Sequence, residues 1–142
     1  MIYSLDTNVV VDALRQPPEL DRLKAFLSWA LPATVLSSVV AAELTAGARS
    51  ERARRALDDV FLKAFERRGR IVAPSAAAWR RLGVIVGRIG PGGLSASRQN
   101  DALLAVQARE RGWTVVTRDQ DFKGLRTLVG GLKITTPFPD RP

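Results

Sequence analysis

Five short apolar runs, separated by longer segments with helical spacing, limit most strongly what this chain can fold into. The runs span residues 2–5, 34–37, 70–73, 113–116 and 132–134. They are too short for helices and do not alternate between apolar and polar, so they read as strands buried on both faces. Between them, residues 9–14 continue as helix after Asn8. Residues 19–31 carry Leu20, Leu23, Phe26 and Leu27 at helical spacing, after the break at Pro17-Pro18 and before the stop at Pro32. Ser37 or Ser38 caps a helix running to about Gly47. Residues 50–68 form a charged amphipathic helix with Ala53, Leu57, Val60, Phe61 and Phe65 on one side, closed by Gly69. Pro74-Ser75 opens another helix through Trp79, Leu82, Ile85 and Val86. Gly90-Pro91-Gly92-Gly93 makes residues 89–96 a loop. Ser97 then caps a helix across residues 101–111 that Gly112 ends. Residues 121–129 read as a short helical segment, and the Pro-rich tail has no expected structural role.

Strands alternating with helices indicate βαβ units. The expected fold is an α/β, three-layer α/β/α sandwich with a mostly parallel sheet. At 142 residues, one domain spanning 1–142 is expected, with no repeat or linker. A chain of this length buries roughly two-thirds of its unfolded surface and needs no disulfide or structural metal. The N-terminus lacks the basic start of a signal peptide, and no apolar stretch reaches the about 20 residues that span a bilayer. A soluble, cytoplasmic protein with no membrane partner is expected.

Cysteine and histidine are both absent. Thiol nucleophiles, Cys- or His-ligated metals and Ser-His-Asp triads are thereby excluded. Catalysis must run on carboxylates, lysine, arginine, hydroxyls or a bound metal. Net charge is +8, with only four lysines (Lys24, Lys63, Lys123 and Lys133) among 22 basic residues. The arginine fork matches phosphate, so a polyanionic partner fits, although arginine also serves as a plain surface residue. Residues 1–48 break the pattern, with three basic groups against five acidic ones.

Open parallel sheets place functional groups beyond the carboxyl ends of their strands. Asp6 and Asp119 follow two of the runs, while Glu43 and Asp101 fall on helices amid small, apolar neighbours. Each also has a plainer reading. Asp6 suits a helix N-cap, Glu43 a solvated helix surface, Asp101 the positive end of a helix dipole, and Asp119 and Asp121 a turn. Their joint placement around one sheet edge argues for more. Two like charges about 4 Å apart repel by about 4 kcal/mol at an effective dielectric near 20. A hard divalent ion relieves this, and all-oxygen ligation favours Mg²⁺ or Mn²⁺ over zinc. Such an ion activates water for in-line displacement at phosphorus, which suits a phosphodiester held by surrounding arginines.

Leu5-Asp6-Thr7-Asn8 with Val9–Asp12, Ser37 to Glu43-Leu44, Asn100–Ala105, and Val116-Thr117-Arg118-Asp119-Gln120-Asp121-Phe122 resemble the successive motifs of PIN-domain ribonucleases. Within them the resemblance is to VapC-type toxins of type II toxin–antitoxin systems. It implies a parallel sheet with flanking helices, Mg²⁺- or Mn²⁺-dependent RNA cleavage, a cognate antitoxin protein, and commonly a homodimer. Asp6, Glu43, Asp101 and Asp119 match the catalytic, metal-holding acidic quartet. Thr7 and Asn8 match positions supporting the first aspartate, and Thr117 the hydroxyl before the last motif. Asp121 matches an extra carboxylate of some members. Residues 48–93 carry no matching motif.

An aspartyl-nucleophile phosphatase would need a second aspartate where Asn8 stands. A phosphoacceptor receiver would need an acidic pair at the first strand and an acceptor aspartate at a later one, where Ser37-Ser38 and Pro74-Ser75 occur instead. The reading is therefore a metal-dependent endoribonuclease acting on RNA. The alternative is a non-catalytic PIN-like RNA-binding or regulatory module.

Overall fold

A computed structural model describes residues 1–142. Five strands form one fully parallel sheet: β1 (Tyr3–Leu5), β2 (Thr34–Ser37), β3 (Ile71–Val72), β4 (Thr114–Val116) and β5 (Lys133–Thr135). Their order is β3-β2-β1-β4-β5. Every residue of β1 and β4 is buried. Successive strand side chains point to opposite faces, so helices must cover the sheet on both sides. This is the α/β/α sandwich that the apolar runs imply.

The chain order creates the crevice. From β1 the sheet grows outward through β2 to β3, then the chain returns past β1 to lay down β4 and β5. The connections leaving β1 and β4 therefore part in opposite directions, which opens a gap at their carboxyl ends. Leu5 pairs with Val116, so both strands stop level. Asp6 and Thr117 consequently follow side by side, and the Asp6 N–H donates to the Val116 carbonyl at 3.0 Å.

The helices are α1 (Thr7–Arg15), α2 (Pro17–Ala30), α3 (Ser38–Gly47), α4 (Glu51–Leu57), α5 (Lys63–Glu66), α6 (Ala76–Ile89) and α7 (Ala96–Arg111). Side-chain caps start α1, α3, α4, α6 and α7, from Asp6, Ser37, Ser50, Ser75 and Ser95 respectively. Each such cap is worth about 1 kcal/mol. Helix α7 starts earlier than the sequence suggests. The Ser95 hydroxyl, not that of Ser97, accepts the Arg98 N–H at 3.2 Å. Gly112 closes α7 in the left-handed region, at φ 72°, where other residues are strained.

Three further expectations need correcting. Pro17 begins α2 rather than separating it from what precedes, because proline lacks only an N–H that the first helical turn leaves unpaired anyway. Between α4 and α5 a π turn (Asp58–Leu62) adds a residue and shifts the helix face. Leu62 is consequently buried beside Phe61 and Phe65, while Val60 is 56% exposed. The tail also has a structural role. Phe138 stacks on Phe26 of α2 with ring centroids 5.3 Å apart, and Arg22 donates to the Pro137 carbonyl at 3.0 Å.

Candidate active site

Asp6 stands at the base of the crevice and is only 3% exposed. Its Oδ1 accepts the Thr7 N–H at 2.8 Å. Its Oδ2 accepts the Thr117 hydroxyl at 2.8 Å and the Asn8 amide at 3.0 Å. Thr117 Oγ1 in turn accepts the Asn8 amide at 3.1 Å and the Asp119 N–H at 3.0 Å. One donation and two acceptances exhaust that hydroxyl. Asn8 Oδ1 accepts the Arg118 N–H at 3.1 Å, closing a network that locks α1 onto the segment after β4. The N-cap reading of Asp6 is thus correct as far as it goes, and the same carboxylate also faces the other acids.

Glu43 arrives from α3, which β2 launches from the same sheet edge. The Thr7 hydroxyl donates to its Oε1 at 2.9 Å. Asp101 lies in the early turns of α7, whose N-terminal end reaches the crevice because α7 runs back to the start of β4. Asp119 caps the 3₁₀ segment Gln120–Thr127 by accepting the Asp121 N–H at 2.8 Å. Arg98 sits between these last two acids, 3.2 Å from Asp101 Oδ2 and 3.8 Å from Asp119 Oδ2. Asp121 is exposed and contributes backbone instead: its carbonyl accepts from Arg98 at 3.2 Å.

The four acids feel one another. Burial pushes the Asp6 carboxyl above its usual range, against the hydrogen bonds from Thr117 and Thr7, and the Glu43 and Asp119 charges add to the rise. Asp101 is pushed up to about 7, first by burial and then by Asp6, with Arg98 opposing and Glu43 and Asp119 reinforcing. Desolvation and like-charge crowding together are the signature of a carboxylate set short of positive charge. The donor chemistry, all carboxylate oxygen, suits Mg²⁺ or Mn²⁺. As the side chains stand, no three carboxylates are grouped as ligands of one ion. Arg98 stands between Asp101 and Asp119 instead.

Sequence reasoning overlooked two of these arginines. Arg98 was findable, because it precedes Asp101 by three residues on a helix, a spacing that brings side chains together. Arg118 carries no such signal. It pairs with Asp12 at 3.0 Å and with Glu19, joining positions about a hundred residues apart to hold α1 and α2 against the loop after β4. Gln107 is a third omission. Buried in α7, it accepts the Ser37 hydroxyl at 2.5 Å and donates to the Val72 carbonyl at 2.9 Å, which fixes α7 across β2 and β3.

Comparison with known proteins fits this geometry. Among curated proteins, none matches the chain. Among solved structures, it is similar to a chain of VapBC2 from Rickettsia felis bound to a DNA fragment from their promoter. The identity is 28% and the TM-score 0.71, over 96% of this chain and 98% of that one. A chain of DNA-bound VapBC from Salmonella typhimurium has 22% identity and TM-score 0.69, over 97% and 99%. A chain of a toxin–antitoxin complex from Klebsiella pneumoniae has 19% identity and TM-score 0.64, over 97% and 99%. The last two speak to the fold alone. The sequence profile of the PIN domain family matches residues 3–128, which takes in all four acids, and the chain belongs to that family.

Proposed function

We propose that residues 1–142 form one PIN-like domain acting as a VapC-type endoribonuclease, the toxin of a toxin–antitoxin pair, which hydrolyses RNA phosphodiester bonds at the crevice. One observation carries this reading. Four elements of the fold bring Asp6, Glu43, Asp101 and Asp119 to one sheet edge, where burial first, and then the charge of the other acids, pushes the Asp101 carboxyl up to about 7. Asp6, Glu43, Asp101 and Asp119 are the residues that would hold Mg²⁺ or Mn²⁺. When bound, such an ion supplies Lewis-acid polarisation of the phosphate and a nucleophilic water at neutral pH.

The chain's own residues do the remaining work. Thr117, Asn8 and the Thr7 N–H fix the Asp6 carboxylate, and the Thr7 hydroxyl fixes Glu43, so half of the donor set is oriented before anything binds. Arg98 at the mouth is placed to meet a phosphate oxygen with its planar fork. No histidine is available to activate a ribose 2′-hydroxyl. Attack by water then gives 5′-phosphate and 3′-hydroxyl ends. The test is cleavage of a defined RNA oligonucleotide with Mg²⁺ or Mn²⁺, in excess chelator, and by Asp101→Asn. The reading expects cleavage only in the first case, with 5′-phosphate products by mass spectrometry. A 2′,3′-cyclic phosphate as the main product would refute water attack.

The non-catalytic alternative draws on the pairing of Arg98 with Asp101 and Asp119 and the lack of a ready three-acid group. It expects RNA binding without metal-dependent cleavage, so the same assay separates the two.

The antitoxin partner has a matching groove. Val11, Leu14, Leu20, Leu44, Leu57 and Val60 line a depression of about 460 Å³ between α1, α2, α3 and α4, and Glu43 forms its inner edge. Leu14 and Val60 are 44% and 56% exposed there. An antitoxin segment laying apolar side chains in this groove would pass Glu43 and reach the acids with an arginine or lysine. Alanine at that cation should restore cleavage in the intact complex. A homodimer and a cytoplasmic site of action complete the proposal. No helix is long and apolar enough to cross a membrane.

A further inference from the structure

Beside the acids, on the side away from the antitoxin groove, lies a second cleft of about 450 Å³ between α3, α6 and α7. Glu43 forms part of its wall, so the cleft borders the crevice at that residue. Trp79 forms another part and is 56% exposed. A single exposed apolar side chain needs no special explanation. The position of this one does invite one, because the other two tryptophans are spent on the fold. Trp29 packs edge-on against Tyr3 and Phe26, and Trp113 is buried. Ser38 and Asn100 also line the cleft, and Asn100 directly precedes Asp101. Unlike Asn8, whose amide is fully engaged, Asn100 gives its amide to no other side chain.

We propose that this cleft is a nucleobase subsite, in which one unstacked base of the bound RNA lies against the Trp79 indole while Asn100 and Ser38 read its edge. The proposal rests on the nuclease reading and adds a contact to the base, where that reading has only Arg98 at a phosphate. Single-stranded RNA is recognised by splaying bases onto aromatic faces and hydrogen-bonding their exposed edges. An indole accepts any base, so Trp79 supplies affinity, and the amide with its paired donor and acceptor supplies preference. A base here keeps its own phosphate near Glu43. The cleft therefore sets which bond meets the acids.

The experiment uses the full chain. Indole fluorescence is followed while a short single-stranded oligoribonucleotide is added in chelator, and kcat/KM for the same RNA is then measured with Mn²⁺. Wild type, Trp79→Phe, Trp79→Ala and Asn100→Ala are compared. The proposal expects quenching in wild type that Trp79→Phe removes. It expects a loss in kcat/KM of about tenfold or more in Trp79→Ala, carried by KM. Trp79→Phe should stay within a few-fold of wild type, and Asn100→Ala should flatten base preference. The shift of Tm on adding Mn²⁺ should be the same for wild type and both Trp79 variants. Wild-type cleavage with Trp79→Ala equally efficient overturns the subsite and leaves the nuclease intact. Quenching that depends on Trp79 with no cleavage by wild type sustains the subsite and removes the nuclease. A change in oligomeric state by light scattering, with RNA kinetics unmoved, assigns Trp79 to a second copy of the chain and also overturns the proposal.

Discussion

The two halves of the acidic crevice are held by opposite means. Asp6 and Glu43 are fixed by neutral donors: two threonine hydroxyls, one amide and one backbone N–H. Asp101 and Asp119 flank a cation, Arg98, which is the one side chain that meets either carboxylate, although Asp119 also accepts the Asp121 N–H. Neutral donors orient a carboxylate and leave its charge in place, so the first half keeps its geometry whatever else binds. A guanidinium compensates charge, and any other cation competes with it. The first half is a fixed seat, and the second exchanges partners.

Removing an acid should break the site from either side. Asp6→Asn or Asp101→Asn is expected to lower cleavage by at least about 100-fold in a Mn²⁺ assay, since each deletes a candidate ligand. Asp101→Asn should leave the metal-free fold unharmed, because it also removes like-charge repulsion. Asp6→Asn turns one acceptor towards the donors of Thr7, Thr117 and Asn8 into a donor and should cost about 1–3 kcal/mol. Wild-type rates in either variant would take that residue out of the mechanism. Unfolding of Asp6→Asn alone would instead show that the fixed seat is chiefly a structural cap.

Thr117→Val tests the seat more finely. It keeps the shape but removes the donor to Asp6 and the acceptor for Asn8 and Asp119. The expected cost is about 1–3 kcal/mol in stability and about 10–100-fold in activity. Urea melts and kinetics measured together check both. Serine at position 117 should recover most of each, while loss of stability without loss of activity would make the network a brace for α1 only.

The contrast between the halves also explains what the sequence discloses. The central strands were legible because burial on both faces leaves short, largely apolar runs, as at Leu5 and Val115. The four acids were legible because Asp6 ends an apolar run, Glu43 interrupts one, Asp101 heads one and Asp119 stands three residues beyond Val116. Local hydrogen bonding was legible where it follows a cap rule, as at Ser37, and failed by two residues where Ser95 and Ser97 compete to start α7. The π turn left no trace, since Val60 fits an ideal helical face as well as Leu62 does. Phe138 on Phe26 and Arg118 on Glu19 join positions about a hundred residues apart, and no local pattern encodes such pairs.

Arg98→Gln probes the exchanging half. With the guanidinium gone, Asp101 and Asp119 lose a competitor for their charge. Affinity for Mn²⁺ at pH 8, by calorimetry, is expected to rise about two- to fivefold, the scale of a partly exposed ion pair. RNA affinity in chelator should fall if Arg98 also meets phosphate. Weaker Mn²⁺ binding in the variant would mean that Arg98 positions the acids for the ion instead of competing with it.

The last effect reads burial and charge crowding at Asp101 together. Asp101 titrates near 7 in the folded protein against about 3.8 unfolded, so the folded state keeps a proton that the unfolded chain releases. Stability of the metal-free protein from this group is therefore complete below about pH 4 and is lost as pH rises towards 7. Asp101→Asn lacks the titration and isolates it. The variant should match wild type near pH 4 and exceed it by about 1–2 kcal/mol at pH 7.5, after allowance for the partly open, Arg98-screened setting. That corresponds to a few degrees in Tm, read by parallel melts in chelator. Adding Mn²⁺ at pH 7.5 should reverse the order, since an ion that binds the folded wild type more tightly raises its stability by mass action. If wild type instead gains on Asp101→Asn between pH 4 and 7, the Arg98 pair outweighs burial and repulsion together. The second half of the crevice would then be a settled ion pair like the surface ones, and the distinction between the halves would collapse.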